Sequence, residues 1–229
     1  MNKMIYLAVA TILCASCFHV NSNWKGSGKS VKGEGPVMTR TLDLTGFDAI
    51  MVKGHADIQF EQVPEGYEVT LRTQENVFDY LDYRVEGTTL HIQNKDQVQV
   101  RAEAFDLTIK APALKKVQVD GAGDFDLPFG LETADDFVLC LNGAGDFSLN
   151  RIICPSLSIE VNGAGDIDAK DLKVCSLSVL VNGAGDVNVS GDASDADLRV
   201  NGAGDIDARE LRVAGKVTKH AAGAARIRL

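Results

Sequence analysis

The sequence contains few aromatic residues, few histidines and no cluster of basic residues. Aromatic residues make up 6% of the 229 positions, and only one of them is tryptophan. Aspartate and glutamate number 32 against 23 lysines and arginines, which gives a formal net charge of −9. An acidic chain without a basic patch is not expected to bind nucleic acid, because phosphate recognition depends on clustered lysine and arginine. No cysteine and histidine spacing typical of zinc sites is present.

Long hydrophobic runs are also missing. One short apolar run, residues 4–13, follows Lys3 and precedes the small residues Ala15 and Ser16. This order is typical of a secretory signal peptide, and about ten apolar residues are too few to cross the ~30 Å core of a bilayer. We therefore predict a signal peptide over residues 1–16.

The end of this segment resembles a bacterial lipobox, in which Cys17 would carry the lipid, although Cys14 stands where the pattern usually has leucine. Residues 17–39 are rich in glycine, serine, asparagine and lysine, and they are expected to form a flexible tether. This interpretation predicts an exported lipoprotein, anchored to a membrane in the periplasm or on the cell surface. The alternative is ordinary cleavage after Ser16, which would release a soluble secreted protein.

One five-residue word recurs through the second half of the chain. It reads Asp/Asn-Gly-Ala-Gly-Asp, and its copies are residues 120–124, 142–146, 162–166, 182–186 and 201–205. The first glycines of successive copies are 22, 20, 20 and 19 residues apart. A period near 20 residues is the signature of a solenoid, in which each repeat forms one coil that stacks on the previous coil.

Apolar and polar residues alternate on both sides of each word. Leu157, Ile159 and Val161 precede one copy, and Ile167 and Ala169 follow it. A period of two predicts β-strands, and no segment between the words is long enough for a crossover helix. We therefore expect an all-β parallel β-helix with coils about 4.8 Å apart. The Gly-Ala-Gly segments are expected to form its corners, with their alanine pointing inward.

The two halves of the chain differ in regularity. Regular coils are assigned to residues 120–229, and residues 40–119 are interpreted as an irregular opening layer of the same solenoid. A separate β-domain is the alternative for the first of these halves. One short helix is expected over residues 75–81, with Phe78 and Leu81 facing inward.

Both ends of the repeat series carry altered copies of the word. Residues 52–60 resemble a worn copy of the first word and its flanks. At the other end Arg226 stands where the word has aspartate, as expected of a terminal repeat. Stacking would place Arg226 and Arg228 beside Asp205 and Asp207, where they would offset the charge of the last full coil.

From residue 40 onward the layout is similar to that of the putative auto-transporter adhesin, head GIN domain family. The resemblance is carried by Arg40…Phe47-Asp48-Ala49-Ile50…Gly54…Asp57-Ile58, by Gly87-Thr88-Thr89-Leu90-His91-Ile92, and by Ile109…Pro112-Ala113-Leu114…Val117 leading into Gly121-Ala122-Gly123-Asp124. It implies a right-handed parallel β-helix, an exported protein of a kind abundant in Bacteroidetes-type bacteria, and no established catalytic activity. The family name implies adhesion. The letters Gly-Ile-Asn are absent, so no property of that motif is transferred.

Stacked coils would place one aspartate per coil in a ladder along one corner. Neighbouring carboxylates ~4.8 Å apart repel by roughly 1 kcal/mol in water, so the fold must offset this repulsion. Each carboxylate could accept hydrogen bonds from the amides of its own glycine turn. Alternatively, the ladder could hold a row of Ca²⁺ ions, which prefer oxygen ligands; no other cofactor is expected. The ladder consists of Asp124, Asp146, Asp166, Asp186 and Asp205.

The word also predicts a ladder of asparagines, which is interpreted as structural because a side-chain amide can donate to one neighbouring coil and accept from the other. Its members are Asn142, Asn162, Asn182 and Asn201. Two cysteines, Cys154 and Cys175, fall on adjacent coils but one residue out of register. An exported chain permits a disulfide between them, although the offset tends to place the two side chains on opposite faces. Their pairing is left open.

Three function classes remain. The first is a non-catalytic binding or adhesin-like module of the cell envelope, whose partner would be an envelope or extracellular protein or a glycan. The second is a purely structural envelope component. An enzyme acting on polysaccharides is disfavoured, because it needs acidic and basic groups gathered in a groove whereas the aspartates are spread one per coil. No aromatic residue follows Phe147, so the last coils offer no platform for stacking sugars.

Overall fold

The computed structural model describes residues 28–229, which form β-strands with one short helix. The first half contains β1 (Lys29–Lys32), β2 (Val37–Leu42), β3 (Ala49–His55), β4 (Asp57–Gln62), β5 (Glu68–Gln74), a 3₁₀ helix (Glu75–Tyr80), β6 (Leu81–Glu86), β7 (Thr89–Asn94), β8 (Val98–Arg101) and β9 (Phe105–Ala111). The second half contains β10 (Lys116–Ala122), β11 (Phe125–Leu127), β12 (Leu131–Glu132), β13 (Phe137–Ala144), β14 (Asp146–Asn150), β15 (Ile152–Gly163), β16 (Asp166–Gly183), β17 (Val187–Gly202), β18 (Asp205–Val213), β19 (Val217–Gly223) and β20 (Arg226–Arg228).

The second half is a parallel β-solenoid, which confirms the fold class predicted from the repeat. Each word lies directly above the previous one, because the strands that carry the words pair in parallel and in register. The register is continuous through the first glycine of each copy, namely Gly121, Gly143, Gly163, Gly183 and Gly202, and ends at Gly223.

Glycine is required at the first position of the word because the backbones of adjacent coils touch there. A Cβ atom on Gly163 would lie 1.9 Å from the carbonyl oxygen of Gly143, and Gly163 has a φ of +154°. The second glycine is also held against its neighbour, since a Cβ on Gly185 would lie 2.1 Å from the carbonyl oxygen of Gly165. Both contacts leave no room for a larger residue.

The prediction that the alanine of each word points inward is wrong. The alanines are exposed, whereas the second glycines in the upper coils, such as Gly165 and Gly185, are buried. The glycines therefore occupy the side of the corner next to the neighbouring coil, and the alanine methyl group turns outward. The exposed alanines are Ala122, Ala144, Ala164, Ala184 and Ala203.

The core consists of columns of apolar side chains that repeat from coil to coil, and their removal from water is the main driving force for folding. In one column, the rings of Phe125 and Phe147 pack with their centroids 5.6 Å apart. The column continues through the next coils at the same register. Its buried members are Phe125, Phe147, Ile167, Val187 and Ile206.

The first half adds further strands to the same sheet. β3 pairs in parallel with β10, and β4 pairs in parallel with β9 and β11. Beyond β9, the sheet continues with β5 and then β2, both antiparallel to their neighbours. The predicted short helix is present as the 3₁₀ helix, and Phe78 and Leu81 are buried as expected.

The structure differs from the tether predicted over residues 17–39. Residues 29–32 form β1, which pairs with β8, and residues 37–42 form β2 on the edge of the large sheet. Val31 is buried. Composition gave no sign of these strands, because their partners lie far along the chain. The predicted signal peptide and Cys17 lie outside the described residues. No helix within residues 28–229 is long and apolar enough to cross a membrane.

Candidate functional site: the aspartate face

The strands that follow the words form one side of the solenoid, here called the aspartate face. One outward residue per strand, which in the second half is the last residue of each word, aligns across ten strands from β2 to β20. Seven consecutive positions are aspartates, and this set is the aspartate row. From bottom to top it comprises Asp106, Asp57, Asp124, Asp146, Asp166, Asp186 and Asp205.

The aspartate row contains two more aspartates than the sequence predicted. Asp57 closes the worn copy of the word at residues 52–60, so the pattern contained a signal for it. Asp106 belongs to β9, which lies outside the repeat and reaches the row only because it pairs with β4. No periodic spacing could have identified Asp106.

Arginines bracket the aspartate row at both ends. At the bottom, Arg72 lies opposite Asp106 and forms an ion pair with it. At the top, Arg226 lies opposite Asp205, and Nη2 of Arg228 lies 3.2 Å from Oδ2 of Asp205. The upper arrangement is the one expected from the altered last word. The five aspartates between the ends have no ion-pair partner among residues 28–229.

Carboxylates of the row bind the backbone of the coil above, not the amides of their own turn as one interpretation of the sequence had it. Four backbone N–H groups donate to an Oδ1 atom one level below: Asp124 to Asp57 (3.3 Å), Asp146 to Asp124 (2.9 Å), Asp186 to Asp166 (2.9 Å) and Asp205 to Asp186 (2.8 Å). The series is interrupted once, where the amide of Asp166 donates to the carbonyl oxygen of Gly145 (3.1 Å). These bonds offset part of the repulsion between stacked carboxylates.

A second outward row runs parallel to the aspartate row, two residues further along each strand. Its members from β11 to β18 are Asp126, Ser148, Asp168, Asn188 and Asp207. Burial, together with the nearby charges of Asp124 and Asp57, raises the pKa of Asp126 above its ordinary value. Hydrogen bonds from Arg209 have the opposite effect and lower the pKa of Asp207 to about 2.

A groove of about 430 Å³ opens at the upper end of this second row. Nζ of Lys170 lies 2.5 Å from Oδ2 of Asp168, and the guanidinium of Arg209 binds both carboxylate oxygens of Asp207. This site was not predicted from the sequence, because the acidic residues were expected one per coil and no partner was assigned to Lys170 or Arg209. The signal was the repeated Asp-x-Lys/Arg spacing. The polar lining residues are Asp168, Lys170, Asn188, Ser190, Asp207, Arg209 and Glu210.

The part of the chain that the structure describes contains no group of three or more histidine, cysteine or acidic side chains arranged to hold a metal ion. Ca²⁺ takes six to eight oxygen ligands, whereas the aspartate row offers one carboxylate per coil and much of it is engaged with backbone amides. Hydrogen bonds between coils thus engage four of the seven carboxylates of the row.

The asparagines of the words lie on the adjacent side of the corner and form a directional chain of side-chain hydrogen bonds. Each Nδ2 donates to the coil below: Asn201 to Asn182 (2.9 Å), Asn182 to Asn162 (2.8 Å), Asn162 to Asn142 (2.9 Å) and Asn142 to Asp120 (2.6 Å). The chain ends on a carboxylate, which accepts hydrogen bonds without having to donate one. The ladder thus satisfies half-buried amides and keeps the coils in register.

Cys154 and Cys175 lie on opposite sides of their strands and form no disulfide. Cys154 is buried and lies opposite Val174, whereas the neighbouring Cys175 is exposed. Burial raises the pKa of the Cys154 thiol to about 11. Successive side chains of a strand point to opposite faces, so the offset of one residue places the two cysteines on opposite faces.

The family model for "Putative auto-transporter adhesin, head GIN domain" matches residues 46–229. The chain belongs to this family. No curated protein matches the sequence. The name of the adhesin family describes attachment and not catalysis.

Solved structures show the same fold as this member of the adhesin family. A putative lipid binding protein from Parabacteroides distasonis superposes with a TM-score of 0.78 at 22% identity, covering 87% of this chain and 99% of that one. A putative adhesin from the same species has a TM-score of 0.75 at 18% identity, with 87% and 99% coverage. A putative adhesin from Bacteroides fragilis has a TM-score of 0.68 at 18% identity, with 86% and 99% coverage.

Proposed function

We propose that the protein is an exported, lipid-anchored, non-catalytic binding module of the cell envelope that contacts its partner through the aspartate face. The observation that carries the proposal is the aspartate row, in which five consecutive carboxylates have no cation partner among the described residues. Backbone hydrogen bonds fix several of these carboxylates at regular intervals. Like charges held at a fixed spacing repel one another, and a partner whose surface carries the opposite charge relieves this repulsion when it binds.

The groove gathers acidic and basic residues on neighbouring coils, as a polysaccharide-acting enzyme would require. Hydrolysis of a glycosidic bond needs a carboxyl group that stays protonated long enough to act as an acid. Asp207, with a pKa of about 2, is ionised at neutral pH, and Asp168 is paired with Lys170. These pairings support binding without turnover.

Lipid binding, the property named for one of the structural relatives, is not the function proposed for the aspartate face. The described grooves on the aspartate face are lined mainly by charged and polar side chains. The solenoid interior is filled by buried apolar residues, many of them fully inaccessible to solvent.

A binding array tests the proposed contact surface. The purified protein is applied to an array of glycans and extracellular matrix proteins and compared with the triple variant Asp124→Asn, Asp166→Asn, Asp186→Asn. We expect at least one class of array component to retain the protein and the triple variant to lose most of that signal. The control variant Glu65→Gln, Glu103→Gln, Asp136→Asn changes the net charge equally at positions outside the row and should bind like the parent.

The same array separates the proposal from its alternatives. Retention that is equal for both triple variants would remove the aspartate face from the proposal. No retention by any component would favour a purely structural envelope role. Shortening of a bound glycan during prolonged incubation would favour an enzyme.

Lipid anchoring is tested separately with Cys17→Ser. The parent should incorporate labelled palmitate and partition into the detergent phase of Triton X-114, whereas the variant should do neither. Export of both forms with partition into the aqueous phase would support cleavage after Ser16 and a soluble protein.

A further inference from the structure

The groove beside the aspartate row has a shape that follows from side-chain length. Asn188 and Ser190 lie on the middle of three coils. The side chain of Ser190 is much shorter than those of Lys170 and Arg209 on the coils to either side, whereas Asn188 has the same length as Asp168 and Asp207. The Asp168–Lys170 pair forms the lower wall and the Asp207–Arg209 pair the upper wall. The result is a depression across the middle coil, of a volume typical of small-molecule sites.

The walls of the groove offer hydrogen-bond donors beside acceptors. Each wall carries one carboxylate and one cation from the same strand, two residues apart. At the centre, the side chains of Asn188 and Ser190 have no hydrogen-bond partner among the described residues. Asn188 can donate two hydrogen bonds and Ser190 one, and both can accept. The groove therefore has unused hydrogen-bonding capacity of both kinds within a short distance.

Charge narrows the class of ligand that can occupy this groove. An anion would be repelled by Glu210 and by the adjacent aspartate row, and a cation would meet Lys170 and Arg209. An apolar molecule would leave the charged groups of the walls and the side chains of Asn188 and Ser190 without hydrogen-bond partners. A ligand without net charge that donates and accepts hydrogen bonds at closely spaced atoms is complementary to all the polar groups of the groove.

We infer that the groove binds a neutral carbohydrate, with one sugar unit seated over Asn188 and Ser190 and neighbouring hydroxyl groups bound by the two ion-paired walls. Each sugar hydroxyl is a donor and an acceptor, so a vicinal pair can bridge a carboxylate and its adjacent cation. The inference rests on the proposed function, because it names the ligand class of a binding module. In the absence of an aromatic stacking surface, each site binds weakly, and many anchored copies act together.

The test is an NMR titration of the purified, isotope-labelled protein with neutral hexasaccharides of glucose and mannose at millimolar concentrations. A hexamer of galacturonate and one of glucosamine serve as the anionic and cationic probes. We expect the neutral sugars to shift the backbone amides of residues 168–170, 188–190 and 207–210. Shifts in these segments with a charged hexamer alone would overturn the neutral class, and absence of shifts there with every sugar would overturn the site.

Matched variants on one coil decide whether the groove is responsible. Ser190→Lys fills the groove, whereas Ser178→Lys adds the same side chain to the adjacent face of the solenoid. Binding should be lost in Ser190→Lys and stay within twofold of the parent in Ser178→Lys. Asn188→Ala, which removes one hydrogen-bonding group without adding bulk, should weaken binding about tenfold. Equal effects of the two lysine variants would contradict the assignment.

The array and the titration fail in different ways. If the protein binds an array component through the aspartate row but no neutral sugar shifts the groove, only the carbohydrate inference falls. If neither experiment detects a ligand, the proposed binding function falls with it.

Discussion

The backbone N–H of Asp186 donates a hydrogen bond of 2.9 Å to the carboxylate of Asp166 on the coil below. The corresponding bond is missing one level down, because the amide of Asp166 donates to the carbonyl oxygen of Gly145. Two aspartates that look identical in the sequence therefore have different roles. The carboxylate of Asp166 binds a backbone amide, whereas that of Asp146 mainly faces water and its charged neighbours.

This difference predicts opposite results for two alanine substitutions. Asp166→Ala removes the acceptor of the Asp186 amide, which should lower the free energy of unfolding by about 1 kcal/mol. Loss of the negative charge also weakens the repulsion within the aspartate row and offsets part of this decrease. Asp146→Ala removes repulsion without removing an acceptor of a backbone amide and should be neutral or slightly stabilising. Urea denaturation of both variants measures the difference, and equal destabilisation would show that the bond to Asp186 is not the cause.

The close contact between words makes Gly163 intolerant of a side chain. A Cβ at this position would lie 1.9 Å from the carbonyl oxygen of Gly143, so Gly163→Ala should destabilise the protein by about 3 kcal/mol through overpacking and backbone strain. Ala164→Ser, at the exposed next position, is the control and should change stability little. Thermal melts that showed similar transitions for both variants would mean that adjacent coils can move apart at no cost.

The asparagine chain should be most sensitive at its centre. Asn162 donates to Asn142 and Glu160 and accepts from Asn182, so Asn162→Ala leaves partners on both adjacent coils unsatisfied. We expect a loss of about 2 kcal/mol. Within residues 28–229, the side chain of Asn201 bonds to Asn182 alone and is exposed, so Asn201→Ala should cost less than half as much. Chemical denaturation of the pair measures the ratio, and a larger effect at Asn201 would refute the ladder as a stabilising unit.

Acid should reveal the pairing of Asp207 with Arg209. The pKa of Asp207 is lowered from 3.8 to about 2 in the folded protein. A carboxyl group with a lowered pKa stabilises the fold above about pH 4 and loses this contribution as the pH falls towards 2. Arg209→Gln should raise the pKa of Asp207 towards 3.8, as measured by NMR titration of the carboxyl carbon. Arg199→Gln, which breaks the similar pair with Asp197, should leave the pKa of Asp207 unchanged.

Calcium should not stabilise the protein. The carboxylates of the aspartate row are distributed one per coil, and Ca²⁺ needs several oxygens at once. A metal that binds only the folded state raises the melting temperature in proportion to the logarithm of its concentration. Melts in millimolar Ca²⁺ and in EDTA should therefore coincide after correction for ionic strength. A rise of several degrees with Ca²⁺ but not with Mg²⁺ would restore the cation interpretation of the row.

The fold was predictable from the repeated words because glycine contacts and strand alternation are both local signals. The period gave the coil, and the altered last word gave the position of Arg226 beside Asp205. The direction of the alanines was not predictable from size alone. It depends on the close approach of neighbouring backbones at Gly165 and Gly185, which only the stacked structure contains.

The site was less predictable than the fold, since it depends on contacts between coils. Asp106 joins the aspartate row through β9, which carries no copy of the word. The groove combines outward residues from three coils, and its depth depends on the short side chain of Ser190 between those of Lys170 and Arg209. In the sequence these residues are separated by whole periods. Their proximity depends on the pairing register between coils, which cannot be read from the sequence.

The in-register glycine contacts have a consequence for how such a protein can change in size. Because each coil presents nearly the same backbone to the coil above and the coil below, a duplicated segment such as residues 163–182 could be inserted without altering either end. Each duplication would lengthen the acidic surface by one aspartate and one coil height. Gene duplication can therefore change the length of the solenoid in steps of one coil, without changing the side chains that each existing coil exposes.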